Sequence, residues 1–254
     1  MNLFNLKKKT DPIKKQTTVV PINLLDKYRL LCSIDKKVFR SIVYGKFTED
    51  RDRILNLMAE DTTMIPLHKL EYSRKDLRAT VFTHLRKIYK ILNVNFADFK
   101  KDPAKYNAYG DALFCFDMGL ATKFGVNFYL YCRTLLNFGS AKHQKFIERV
   151  FDGSDLGCFA LSELGHGSNA KDILTTATYD HTSKQYILNT PSDLAMKFWI
   201  GNALTANIGV IFAQLMIGGK AFGVHGFVVP LRDHYHDLYP GVMIGDCGMK
   251  IGLV

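Results

Sequence analysis

The chain has 254 residues, 47% of them hydrophobic and 23% charged, a balance that excludes wholesale disorder and leaves room for one large domain or two small ones. Lys and Arg total 34 against 24 Asp and Glu, a net charge of +10 that favours an anionic partner such as a nucleic acid, an acidic membrane face or a phosphorylated small molecule. No stretch supplies the ~18 uninterrupted apolar residues of a membrane helix, so stable membrane insertion is not expected, and the basic clusters lack the interleaved aromatics of a nucleic-acid binder.

Lys7, Lys8, Lys9, Lys14 and Lys15 make residues 1–20 read as a solvated tail; without Arg or an apolar run they form neither a signal peptide nor a good transit peptide. From 21 to 153 the pattern is helical. Leu77, Val81, Phe82, Leu85, Ile88, Tyr89 and Leu92 form one stripe at helical period over Ser73–Leu92, with Ser73 as N-cap and Asp76 at the positive end of the dipole. Ala108–Leu136 is apolar nearly all round, which predicts the centre of a bundle. A further helix is expected over Lys142–Val150, with Ser140 as its cap and Gly153 past its end.

After Gly157 the period changes. Leu174–Tyr179 and Gln185–Thr190 flank the polar turn Asp180–Lys184 and predict a hairpin. Asn207–Ile217 is a long apolar strand, broken by Gly218 and Gly219; Phe222–Val229 runs back until Pro230 removes a donor, and Val242–Ile244 is a further short strand. Helices followed by strands predict an α+β fold. The five cysteines, Cys32, Cys115, Cys132, Cys158 and Cys247, are odd in number and form no CxxC, so they read as small core or near-core residues rather than a disulfide framework or a metal site.

Two stretches carry chemistry. In Gly157–Asn169 a short apolar strand leads through the hydroxyl of Ser162 into a loop where Gly165 and Gly167 flank His166, leaving backbone N–H groups able to face a ligand. Ser162 can donate to a ring carbonyl or nitrogen and accept from a ring N–H. In Lys197–Asn202 the single tryptophan, Trp199, is either a core anchor or a wall against a flat ring, and Gly201 permits close backbone approach.

The order and separation of these stretches resemble the acyl-CoA dehydrogenase and oxidase superfamily, and the details resemble the oxidases: Ser162–Ser168, Thr175–Asp180, Ile187–Pro191, Lys197–Asn202, Gly223–Asp233 and Pro240–Gly252. The match is dense from Gly157 onward and looser over 22–150. The resemblance implies an N-terminal α-helical bundle (21–153) followed by a β-barrel-like, flavin-binding middle domain (154–254, incomplete), with the C-terminal helical domain absent from this chain. It implies FAD as cofactor, held by Ser162, Gly201, Phe159 and Leu161 and backed by Trp199, with Ser168 at the acyl-CoA. It also implies a homodimer when complete, and a peroxisomal or alternatively mitochondrial setting. The implied reaction converts acyl-CoA to trans-2-enoyl-CoA with oxygen as electron acceptor in fatty-acid β-oxidation. The family's carboxylate base comes from the helical domain that follows, so no catalytic residue is assigned, Glu163 included. As written, the chain reads as a fragment; the alternatives are an inactive structural subunit of a larger assembly or an acyl-CoA dehydrogenase, against which the Gly-His-Gly and Trp-Ile-Gly forms argue. His166 reads as an oxidase marker with a structural role.

Overall fold

The computed structural model describes residues 23–64 and 72–250. The basic tail and the last four residues, including Gly252 of the final motif, lie outside the described residues. The helical part runs α1 (Leu24–Leu31), α2 (Lys36–Tyr44), α3 (Thr48–Glu60), α4 (Arg74–Leu92), α5 (Phe96–Lys101), α6 (Pro103–Phe116), α7 (Met118–Gly125), a π-helical segment Val126–Cys132, α8 (Arg133–Phe138) and α9 (Gln144–Phe151). The strands are β1 (Gly157–Ala160), β2 (Thr176–Asp180), β3 (Gln185–Asn189), β4 (Ile208–Ile217) and β5 (Lys220–Pro230). The expected α+β order holds.

The capping signals operate as the sequence predicts. The Ser73 hydroxyl accepts from the Asp76 N–H at the start of α4, and Asn93 ends that helix in the left-handed region. Ser140 and His143 form a capping box ahead of α9, and Gly153 follows at φ 81°. The central stretch Ala108–Leu136 is not one helix. Asp117 is extended (φ −155°); it ends α6, and its carboxylate accepts from the Leu120 N–H at 2.6 Å to start α7. A local cap thus overrides a continuous apolar pattern. The core beneath is aromatic: Phe99, Tyr106, Phe124, Phe128 and Tyr131 are all fully buried, with the Phe124 and Phe128 rings 4.5 Å apart.

Strand β4 organises the sheet. Antiparallel β5 runs along one edge, from Ile208↔Pro230 to Ile217↔Lys220. The other edge is shared: β1 pairs in parallel with the first half (Gly157↔Ile208) and β2 in parallel with the second (Thr176↔Gln214). The predicted hairpin puts β3 beyond β2. The five described strands form an open sheet. Val242–Ile244 is not the strand expected of it. It follows a turn in which the Val242 N–H donates to the Tyr239 carbonyl at 3.0 Å, and it packs irregularly against Cys158, Ala206 and Leu231 instead of finding a ladder. The cysteines also differ from expectation. Cys132 and Cys158 are buried, whereas Cys32, Cys115 and Cys247 are exposed; Cys115 lies on the outer side of α6, where its sulfur accepts from Arg51.

Candidate functional site

The two chemistry-bearing stretches are zipped together. The Phe198 N–H donates to the Ser162 carbonyl at 3.1 Å, and the Ser162 hydroxyl donates back to the Phe198 carbonyl at 2.9 Å. Beside them the Lys197 ammonium donates to the Leu161 carbonyl (3.0 Å) and to Glu163 (3.1 Å). Glu163 is the anchor of this junction. Its carboxylate is buried and accepts from the N–H groups of Leu174 (2.7 Å) and Thr175 (2.9 Å) and from the Thr175 hydroxyl (2.5 Å). Burial alone would raise its pKa; these hydrogen bonds and that of Lys197 outweigh it and hold the carboxyl at about 2. Burial outweighs the same pairing at Lys197, whose pKa is lowered.

Beyond Lys197 the chain enters a strained loop. Trp199 (φ 62°) and Asn202 (φ 66°) both sit in the left-handed region, a conformation that is unusual for a bulky side chain. Asn202 pins the loop to both layers, donating to the Gly157 carbonyl of β1 (3.1 Å) and the Lys123 carbonyl of α7 (3.3 Å). Gly201 lies so near the π segment that a Cβ there would be 2.7 Å from Val126 Cγ2. Its bare backbone is therefore required by the helix on one side, whatever lies on the other.

These contacts leave a cleft of about 430 Å³ between the helical layer and the sheet loops, a size typical of small-molecule sites. Phe159, Ser162, Trp199 and Gly201 line it together. Phe159 is braced edge-on by Phe212 at 5.0 Å. Trp199 is not a core anchor: it is 58% exposed at the rim, with the Lys250 ammonium 5.0 Å from its ring centroid. The helical wall adds Lys123, Val126 and Leu130, and the mouth carries Arg78 and Asp246, the latter accepting from Arg78 (2.9 Å) and Arg74 (3.1 Å).

Not every expected residue joins them. Leu161 and Ser168 are not part of the lining; Leu161 uses its carbonyl to hold Lys197, and Ser168 lies in the exposed loop beyond. The first amides of the Gly-His-Gly loop are not held out as expected. The N–H groups of Leu164, Gly165 and His166 donate to the carbonyls of Met196, Leu194 and Glu163. His166 Nδ1 stands 3.3 Å from a Glu163 oxygen, which fits a structural role. Sequence reasoning missed Lys123, Arg78 and Asn202; the one available signal was that Lys123 is the sole charged residue in the apolar run Met118–Cys132.

The set fits a flat heterocycle with hydrogen-bonding edges: two aromatic side chains, a hydroxyl whose proton is held by Phe198 and whose lone pairs can accept from a ring N–H, and the apolar side chains of Val126 and Leu130. No family model matches the chain. It is 39% identical over 197 residues to acyl-coenzyme A oxidase 2, peroxisomal, of Arabidopsis thaliana, covering 72% of this chain and 28% of that protein. It is 33% identical to the human peroxisomal acyl-coenzyme A oxidase 3 over 91% of this chain and 34% of that one. Among solved structures it is similar to acyl-CoA oxidase-2 of Caenorhabditis elegans bound with FAD, ascaroside-CoA and ATP, with a TM-score of 0.73 and 25% identity over 90% of this chain and 35% of that chain. The chain thus spans about a third of the length of these relatives.

Proposed function

The chain belongs to the acyl-CoA oxidase family, a family of oxidoreductases, and from this we propose that it forms the flavin-facing part of an enzyme that oxidises acyl-CoA to trans-2-enoyl-CoA with oxygen as electron acceptor. The observation that carries the reading is the convergence of Phe159, Ser162, Trp199 and Gly201, from two separate stretches, on one cleft. The FAD complex among the similar solved structures supports the choice of cofactor. The same reading takes 21–153 as the helical domain and 154–254 as an incomplete β-domain, part of a barrel-like form in the whole enzyme. It assigns an acyl-CoA substrate, a place in fatty-acid β-oxidation, a homodimeric enzyme and, from the names of the relatives, the peroxisome.

When bound, FAD supplies the redox chemistry. The residues of this chain position it. Ser162, fixed by its exchange of hydrogen bonds with Phe198, presents its hydroxyl to the ring edge, and Phe159 and Trp199 cover apolar ring surface and exclude water. Leu161 and Ser168 enter the reading as neighbours of the ring strand and of the acyl-CoA. Neither local carboxylate is assigned as the base. Glu163 is saturated by protein donors and held ionised at about 2, and Asp246 is occupied by Arg78 and Arg74, with Arg78 first in lowering its pKa. In the proposed reaction the α-proton goes to a carboxylate from outside the described residues.

The test is uptake of FAD by the purified protein, followed by quenching of flavin fluorescence and by a yellow gel-filtered product. Saturable one-to-one uptake is expected, weakened at least ~10-fold by Gly201→Leu, whose side chain must enter the cleft or displace Val126. Protein that stays colourless at high FAD overturns the reading.

A further inference from the structure

The helical wall of the cleft holds a charge that ring positioning does not use. Lys123 is only 9% exposed, yet it lines the cleft. Among the described residues no carboxylate lies within ion-pair distance of its ammonium, which lies over the face of Phe82, 4.6 Å from the centroid. Burial first, and the neighbouring Arg78 second, push its pKa down to about 8. The described charges of the lining are Arg78, Lys123 and Lys250 against Asp246 alone, and Asp246 is already shared by Arg78 and Arg74. Lys123 and Lys250 are therefore both without a carboxylate partner among the described residues, and Lys123 is the buried one of the two. An unpaired ammonium in such a place destabilises the empty protein, and a ligand that carries negative charge relieves that cost.

Its backbone is tied to the glycine loop of the cleft. The Lys123 carbonyl accepts from Asn202, the residue after Gly201, and Gly201 rests on Val126, one helical turn beyond Lys123. Lys123 and Gly201 therefore line one cleft, with the ammonium lying over Phe82. An oxidised isoalloxazine is neutral there. When an electron pair enters the ring, negative charge collects along the N1–C2=O edge, and a cation in a poorly solvated cleft stabilises that form far more than the neutral one.

We infer that Lys123 is the counter-charge for the isoalloxazine: a positioning residue that leaves affinity for the oxidised cofactor nearly unchanged and favours entry of an electron pair into the ring. This rests on the flavin reading above. Sulfite isolates the effect without turnover. Its lone pair forms an S–N5 bond with the oxidised ring, the displaced electron pair moves to N1–C2=O, and the visible absorbance bleaches with no other oxidant or reductant involved. FAD-loaded wild-type protein, Lys123→Met, Lys123→Gln and Lys123→Arg are titrated with sulfite at pH 7, and the FAD Kd of each is measured separately. The expected result is a sulfite Kd raised at least ~10-fold in the Met and Gln variants, within ~3-fold of wild type in Arg, and FAD affinity within ~3-fold throughout. Where sulfite binds too weakly to titrate, the midpoint potential of the bound flavin is read by dye equilibration and is expected to fall in Met and Gln. Neutral variants that keep FAD, sulfite affinity and potential as in wild type overturn the inference and leave the flavin reading intact. Wild-type protein that takes up no FAD overturns both.

Discussion

Glu163 is buried and Lys197 is partly buried, and such a pair is stable only when its remaining hydrogen-bonding capacity is filled. Here the filling is one-sided. Glu163 accepts from two backbone N–H groups and a hydroxyl in addition to Lys197, whereas Lys197 has Glu163 and one carbonyl. The carboxylate is therefore the better stabilised member, and its pKa falls from 4.5 to about 2. A carboxyl group lowered on folding adds stability that is complete above its unfolded value and is lost as pH falls through the folded one. This contribution is present above pH 4.5 and disappears toward pH 2. Glu163→Gln removes it and turns an amide N–H₂ toward a donor. We expect a loss of about 3 kcal/mol at pH 7, read as a lower urea midpoint at unchanged m, and a flatter acid limb between pH 4.5 and pH 2. A variant as stable as wild type at pH 7 would show that the backbone, not the charge, holds the junction. His166 faces the same carboxylate, its Nδ1 3.3 Å from a Glu163 oxygen, which fits a structural place in the Gly-His-Gly loop.

At the scale of elements, the site depends on how closely β1 lies on the π segment. Gly157 donates its N–H to the buried Asn127 side chain at 2.7 Å, and a Cβ at Gly157 would stand 2.4 Å from Tyr131 Cγ. The Tyr131 ring is fully buried and has no room to swing aside. Gly157→Ala is expected to cost about 2–3 kcal/mol by overpacking and, because Asn202 ties Gly157 to the loop of Trp199 and Gly201, to weaken FAD uptake as well. Denaturation and FAD titration of one preparation check both halves; wild-type values in each would mean that the strand slides without consequence. This contact was invisible in the sequence, where Gly157 marked only a change of period. What local chemistry decides could be read: the Ser73 and Ser140 caps, the hairpin turn in which the Asp180 carboxylate accepts from the Thr182 N–H and the Ser183 hydroxyl, and the reversal at Gly218 and Gly219. What long-range pairing decides could not. Nothing in Gly157–Ala160 or Thr176–Asp180 announces that both share one edge of β4. Val242–Ile244 has a strand's composition and no partner. In the cleft, Ser162, Trp199 and Gly201 stood out because their motifs are local and Phe159 through the family resemblance, whereas Lys123 was hidden because a single lysine in an apolar helix ordinarily marks a solvated face.

Across the whole molecule, burial is distributed unevenly. The fully buried aromatics belong to α5, α6, α7 and the π segment, and partly buried Leu156 and Phe212 carry that core into the sheet. Helices α1 and α2 bury no residue; Leu24, Leu30, Leu31 and Ile42 are each more than 60% exposed. Helices of eight and nine residues do not persist on propensity alone. Their local supports are the side-chain caps of Asn23 and Asp35, of order 1 kcal/mol each, and the exposed Arg40–Asp52 pair, which adds ~1 kcal/mol or less. Amide exchange should therefore divide the chain. Peptides covering 24–44 are expected to exchange by local opening, at rates that barely respond to mild denaturant. Peptides covering 118–138 should exchange only through openings that expose the aromatic core, with denaturant sensitivity approaching that of global unfolding. Mass-spectrometric exchange at several urea concentrations separates the two. Equal protection in both regions would mean that the first two helices are held by contacts outside the described residues, and that the cooperative unit reaches beyond the aromatic core.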